Sequence, residues 1–271
     1  MTRERQTDFA SVNGTRLYYE LQGEGRPVVF IHAGIADCRM WDDQWQALVD
    51  RYTMVRYDLR GFGRSELPEL PFSHTDDLAS LLAYLGVDHP VVVGCSMGGA
   101  LAIDYTLEYQ EDVAALVAVG AGLSGFEYED PVERAQWSAI AEAGRRGDHD
   151  EAAELILRMW LDGVGRPAGS VRGSVRERAR EMAGDLGRRG EPPEGKLIEP
   201  QAAGRLAEIT VPTLVLVGDH DLPSIQAVAE KLISEVAGAR KTVIEGTAHL
   251  PNMERPDYFN QVLGTFLTGL V

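Results

Sequence analysis

The chain has 271 residues, 44% of them hydrophobic, and its 26 basic against 42 acidic side chains give a formal net charge of −16. That length and composition predict a full core and one large α/β domain with room for an insertion. The acidic balance excludes nucleic acid and anionic membrane as partners, because both demand a basic face. Two cysteines, Cys38 and Cys95, are too few and too scattered for a disulfide framework or a zinc site.

The opening MTRERQTDFA lacks the apolar stretch of a secretory signal, and no run approaches the ~20 apolar residues of a membrane span. A cytoplasmic location is therefore expected. Two β-rich runs then flank Asn13-Gly14, a strong hairpin signal. PVVFIH is a short continuous apolar run of the kind found in strands covered on both faces. CRMWDDQWQALVD follows, with Met40, Trp41, Gln44, Trp45 and Leu48 at helical spacing; Trp41 and Trp45 read as a core face. TMVRYD reads as a strand, HTDDLASLLAYLG as a helix, HPVVVG as a buried strand, ALAIDYTLEY as a helix and VAALVAVG as a strand. Strands alternating with helices at this rhythm predict a parallel sheet covered on both faces.

The rhythm stops near Gly125. Residues 125–205 are charged and helix-prone, and TVPTLVLVG, SIQAVAEKLISEVAG, KTVIEG and RPDYFNQVLGTFL then resume the strand–helix alternation. An α/β core of residues 1–124 and 206–271, interrupted by a helical cap over 125–205, is the simplest organisation. An insertion of this length far exceeds the usual connection of about 2–6 residues and points to a lid or binding element.

The chemistry concentrates at GCSMGG. Gly94-x-Ser96-x-Gly98 lies between a buried strand and a helix, the setting of a nucleophile elbow, where a tight turn lifts a serine above the carboxyl edge of the sheet. A serine hydroxyl needs a base, usually histidine held by a carboxylate. His249, in EGTAHLPN between the last strand and the last helix, sits in a loop expected on the same sheet edge. His220 lies beside two acids that better fill the orienting role, while His74, His89 and His149 read as solvated or capping residues. The turn GDHD offers Asp219 and Asp221 as the acid, and the order Ser96, Asp221, His249 is the Ser…Asp…His order of one hydrolase architecture. Cys95, beside Ser96, reads as a buried packing residue.

These features together resemble the α/β-hydrolase fold superfamily over Thr7–Gly122 and Val211–Leu267. The resemblance implies a mostly parallel sheet covered by helices on both faces, with a helical cap. It implies Asp221 as the acid, the fourth residue of a G-x-x-D turn, and leaves Asp219 a turn residue. HAGIAD is similar to that family's His-Gly loop, which implies the backbone N–H groups of Gly34 and Met97 as the oxyanion hole; Ala33 departs from the usual glycine. YDLRGFGRS resembles a further signature of the family, in which Asp58 and Arg60 tie the loop beneath the site.

Serine at the elbow implies an acyl-enzyme, and the motifs are most like 3-oxoadipate enol-lactonases and small-molecule carboxylesterases. The expected partner is a small-molecule ester or lactone, with no cofactor and no metal. Trp137, Trp160, Leu222 and Leu250 are candidate pocket residues, with Met159 and Leu161 as further apolar lining. A carbon–carbon bond hydrolase, a perhydrolase or a slow-turnover ligand receptor on the same fold are the alternatives. Arg166, Arg172, Arg176, Arg178, Arg180, Arg188 and Arg189 could clamp an anionic substrate, although a solvated, charge-paired helix with Glu177 and Glu181 is the simpler expectation. The sequence gives no oligomeric state.

Overall fold

The structure, a computed structural model, describes residues 4–67, 71–167, 169–189 and 200–270, with the side chains of 186–189 outside the description. Strands β1 (Gln6–Val12) and β2 (Thr15–Gln22) form an antiparallel hairpin. Asn13 and Gly14 take φ of 45° and 70°, the left-handed pair that a two-residue turn of primed type requires. Strand β3 (Pro27–Ile31) leads through a 3₁₀ turn (Cys38–Trp41) into α1 (Asp42–Leu48) and β4 (Thr53–Tyr57). The helix expected over 38–50 therefore begins as a 3₁₀ turn, capped by the Asp37 carboxylate on the Arg39 N–H. Helix α2 (His74–Leu85), strand β5 (Val91–Cys95), helix α3 (Met97–Glu108) and strand β6 (Ala115–Val119) complete the first part.

Between β6 and the next strand the described chain is helical: α4 (Pro131–Arg145), α5 (His149–Ile156) running into a π-helical turn (Leu157–Asp162), and α6 (Gly173–Arg189). Strand β7 (Thr213–Gly218), α7 (Pro223–Glu235), β8 (Arg240–Ile244), the single turn α8 (Pro251–Glu254) and α9 (Pro256–Thr268) close the fold.

The eight strands make one sheet in the order β1-β2-β4-β3-β5-β6-β7-β8, antiparallel at β1–β2 and β2–β4 and parallel from there on. The continuous apolar runs have a direct cause: alternate residues serve two cores. Val29, Ile31, Val92, Leu116, Ala118, Val215 and Val217 pack on one face with α2, α3 and α7. Val28, Phe30, Val91, Val93, Val117, Leu214 and Leu216 pack on the other with Trp41, Trp45, Phe259 and Leu263. Full burial of one such side chain contributes about 1.5–3 kcal/mol, so neither face tolerates a polar alternation. Gln44 is the exception in α1: it is fully buried, and its amide reaches the Asn252 carbonyl and Asn260 Oδ1.

Asp58 and Arg60 brace the loop after β4. The Asp58 carboxylate accepts from the backbone N–H of Cys38 and Arg64, and Arg60 forms a buried ion pair with Asp77 while donating to the Asn13 carbonyl.

Candidate active site

Ser96 sits at the junction of β5 and α3 with φ 56° and ψ −117°, a left-handed conformation that no glycine relieves. Such a backbone costs on the order of 1–3 kcal/mol and persists only where its surroundings enforce it. Its N–H donates to the Val119 carbonyl, and its own carbonyl accepts from Ala100 and Gly122. The flanking glycines let the helix approach the sheet: a Cβ at Gly94 would lie 2.0 Å from the Gly98 carbonyl oxygen, and one at Gly98 would lie 2.5 Å from those of Ile31 and His32. Ser96 remains partly accessible at the head of α3, where unpaired N–H groups and the positive end of the helix dipole converge.

His249 and Asp221 meet across two loops at the carboxyl ends of β8 and β7. His249 Nδ1–H lies 2.9 Å from each Asp221 carboxylate oxygen, and both side chains are 1% exposed. Asp221 also accepts from the Leu222 N–H at 2.8 Å. His249 Nε2 is buried and makes no hydrogen bond. The two loops are held in register by neighbouring contacts: Asp219 accepts from Thr247 N–H, and the His220 N–H donates to the Thr247 carbonyl. Asp219 thus splints the turn, half-exposed, and does not touch His249 in the described hydrogen bonds.

The Ser96 turn and the His249–Asp221 pair lie against each other. Cys95 Sγ is 3.6 Å from the His249 carbonyl, and a Cβ at Gly120 would lie 3.0 Å from Asp221 Oδ2 and 3.3 Å from His249 Nδ1. Gly120 is a residue that sequence reasoning missed; with φ +44° at the end of β6, it gives the His249–Asp221 pair its space. Cys95 is fully buried, and burial first, then the Asp221 charge, pushes its thiol up. That suits a packing residue.

Gly34 lies directly over Met97: a Cβ there would be 3.4 Å from the Met97 Cβ. Among the described backbone hydrogen bonds, neither the Gly34 nor the Met97 N–H has an acceptor within the chain. The preceding His32 is fully buried, with Nδ1–H donating to the Ala33 carbonyl and Nε2 accepting from Leu59 N–H. This fixes one neutral tautomer, and burial lowers its basicity further.

The insertion reaches the site through Trp160. Its ring lies 4.1 Å from that of His249, its carbonyl accepts the His249 N–H, and its indole N–H is buried without a partner. Trp137 stands edge-on to Trp160 at 5.7 Å and is 49% exposed. The other two candidate lining residues, Leu222 and Leu250, are both buried. Leu250 has no exposed surface and belongs to the core with Met253 and Phe259, and Leu222, 3% exposed, belongs to the opposite core. Met159 and Leu161 are buried likewise.

The described arginines of the insertion are already engaged. Arg176 bridges Glu154 and Asp162, Arg178 pairs with Asp43, Arg180 with Glu154 and Arg166 with Glu254, while Arg172 donates to the carbonyls of Met253 and Glu254. Arg166, Arg172 and Arg178 reach residues outside the insertion, whereas Arg176 and Arg180 tie α6 to α5 and the π-helical turn within it. The side chains of Arg188 and Arg189 lie outside the described residues. Among the described residues one cluster, Asp37, Cys38 and Asp58, has metal-type spacing. Its carboxylates are taken up by Arg39 and by backbone N–H groups, which accounts for them without an ion.

A family model described as the alpha/beta hydrolase family matches residues 28–262. The 3-oxoadipate enol-lactonase 2 of Acinetobacter baylyi is 25% identical over 271 residues, covering 94% of this chain and 94% of that protein. An enol-lactonase structure from Burkholderia xenovorans superposes with a TM-score of 0.79 at 26% identity, covering 96% of this chain and 100% of that one. A thermophilic esterase from Thermogutta terrifontis superposes with a TM-score of 0.81 at 26% identity, covering 98% and 99%. An uncharacterised protein of Mycobacterium tuberculosis is 30% identical over 118 residues, and there this chain spans only 34% of the relative's length. Among the described residues no helix is long and apolar enough to cross a membrane.

Proposed function

The chain belongs to the alpha/beta hydrolase family, and from that premise we propose that it cleaves small-molecule carboxylic esters or lactones through an acyl-enzyme on Ser96. His249 Nε2 takes the Ser96 hydroxyl proton as Oγ attacks the carbonyl carbon. Asp221 holds the Nδ1–H tautomer and balances the imidazolium that forms. The tetrahedral oxyanion is held by the N–H groups of Gly34 and Met97; loss of one such donor typically costs about 2.7–4 kcal/mol. The imidazolium then protonates the leaving alcohol, and water attacks the acyl-enzyme by the same route, with His249 as base. In a lactone, the leaving alkoxide remains tethered to the acyl group.

The observation that carries this proposal is the buried His249–Asp221 pair, 2.9 Å apart, beside a serine held at φ 56° on a strand–helix turn. A base with an unbonded Nε2, oriented by a carboxylate, is what serine activation needs. The enol-lactonase and esterase neighbours support the ester or lactone class. The engaged arginines offer no such support for a dicarboxylate clamp.

The test is a pre-steady-state burst of p-nitrophenol from a p-nitrophenyl ester, with the acyl group then located on Ser96 by peptide mass. A burst that survives in Ser96→Ala would overturn the mechanism.

A further inference from the structure

A buried ion pair joins the insertion to the loop that carries His249. Arg166 and Glu254 are each 4% exposed, and Arg166 Nη1 lies 2.7 Å from Glu254 Oε2. The other oxygen, Oε1, accepts the backbone N–H of Ala248 at 2.8 Å, one residue before His249. Arg166 also donates to the Leu161 carbonyl, beside Trp160, whose own carbonyl accepts the His249 N–H. The same stretch grips the second loop: Val164 N–H donates to the His220 carbonyl, and the His220 ring bonds back to the Val164 carbonyl. At Gly163 a Cβ would lie 2.6 Å from the Ala248 Cβ and 2.8 Å from the His220 carbonyl oxygen. Insertion and catalytic loops are therefore in backbone contact.

We propose that Glu254 and Arg166 are positioning residues for the acid–base pair, locking the insertion's 160–166 segment onto the loops of His249 and Asp221. The proposal rests on the Ser96–His249–Asp221 assignment above. It makes this stretch of the insertion a fixed part of the catalytic frame, so that any movement admitting substrate lies elsewhere. A carboxylate buried this deeply for support alone is a poor choice, since an apolar pair of the same size is often as stable. Its two oxygens have distinct jobs: one sets the backbone beside the base and the other holds the insertion. Burial pushes the Glu254 carboxyl up, while the Ala248 N–H and Arg166 hold it down; the Asp221 charge adds to the upward push. Charged groups beside the His249 loop and Glu254 include Asp221, Arg166, Asp219 on the Thr247 N–H and, on the carbonyls of Met253 and Glu254, Arg172.

Glu254→Gln and the double variant Arg166→Met/Glu254→Gln separate positioning from mere support. Glutamine retains an acceptor for Ala248 N–H but leaves the permanently charged guanidinium unbalanced close to His249, where it disfavours the imidazolium. We expect Glu254→Gln to lose about tenfold in kcat with KM within twofold, and the acid limb of its kcat/KM profile to move down by roughly 0.5 pH. The double variant restores charge balance, so the limb returns to the wild-type position while kcat stays low. Wild-type kcat with an unmoved acid limb in Glu254→Gln would overturn the proposal, as would a change confined to KM. If Glu254→Gln does not fold, the double variant decides: wild-type kcat overturns the proposal, and a tenfold loss at constant KM supports it. Ser96→Ala assayed alongside reports on the triad itself. Activity retained there overturns the triad assignment, whereas its loss beside a wild-type-like Glu254→Gln enzyme overturns only the positioning role.

Discussion

Asp221 presents both carboxylate oxygens to Nδ1 of His249 at 2.9 Å, while Asp219, two residues earlier in the same turn, faces the Thr247 N–H instead. The two acids of GDHD therefore divide the labour, and their amides should behave oppositely. Asp221→Asn removes the charge and offers an NH₂ group to a nitrogen that must donate, which is expected to lower kcat by on the order of 10⁴-fold. Asp219→Asn keeps an acceptor for Thr247 and should cost no more than about 1 kcal/mol of stability, with kcat within a factor of about three. Steady-state kinetics of both on one activated ester check this, and the reverse ranking would sink the assignment.

How much of this could be read beforehand follows from the range of each interaction. The hairpin at Asn13-Gly14, the buried strands and the Ser96 turn announce themselves because turn chemistry and apolar runs are local. The partner of Asp219 could not be read, since it is set by the register between two loops 28 residues apart. Gly120 and Glu254 went unread, and Arg166 was read only as one of a run of arginines, for the same reason: each acts through a residue distant in sequence. Leu250 neighbours His249 in the chain, and its membership of the core with Met253 and Phe259 is likewise set by residues distant in sequence or in other elements. The π-helical turn at Leu157–Asp162, which sets Trp160 over His249, follows no simple period of apolar residues.

Gly120 gives a second test. With φ at +44°, alanine there is strained by about 1 kcal/mol, and its methyl would press on Asp221 and His249 at 3.0 and 3.3 Å. On the proposed mechanism, displacing the pair misaligns the proton transfer from Ser96. Gly120→Ala should fold, with Tm down by a few degrees, and lose roughly 10–100-fold in kcat. A variant with lowered Tm but unchanged kcat would show that the pair does not depend on this space.

The cysteines give a chemical test. Burial first, followed by Asp221 at Cys95 and Asp58 at Cys38, pushes both thiols well up and leaves little thiolate to react. Native protein should be inert to dithionitrobenzoate over the time in which the denatured chain reports 2 thiols. Fast labelling of Cys95 with parallel loss of activity would instead assign that thiol a place in the chemistry.

Acid sensitivity should trace to His74. This first residue of α2 is 9% exposed, its ring lies edge-on to Phe72 at 5.0 Å, and its Nδ1 makes no hydrogen bond. Burial, with smaller contributions from His32 and Arg60, lowers its pKa to about 3. An unfolded histidine titrates near 6.5, so between about 3 and 6.5 the unfolded chain binds the proton and the native state does not. Its contribution is complete above pH 6.5 and is lost as the pH falls toward 3. Between pH 7 and 5 this amounts to about 2 kcal/mol. His32 acts with the same sign, because protonating Nε2 would break its bond from Leu59 N–H. Urea midpoints measured from pH 7.5 to 5 should therefore fall steeply in the wild type. The unfolding free energies derived from them should fall about 2 kcal/mol less in His74→Gln, whose side chain does not titrate, with the His32 slope remaining. Parallel curves for the two proteins would mean that His74 accepts its proton in the native state, and its burial would not be the origin of the acid limit.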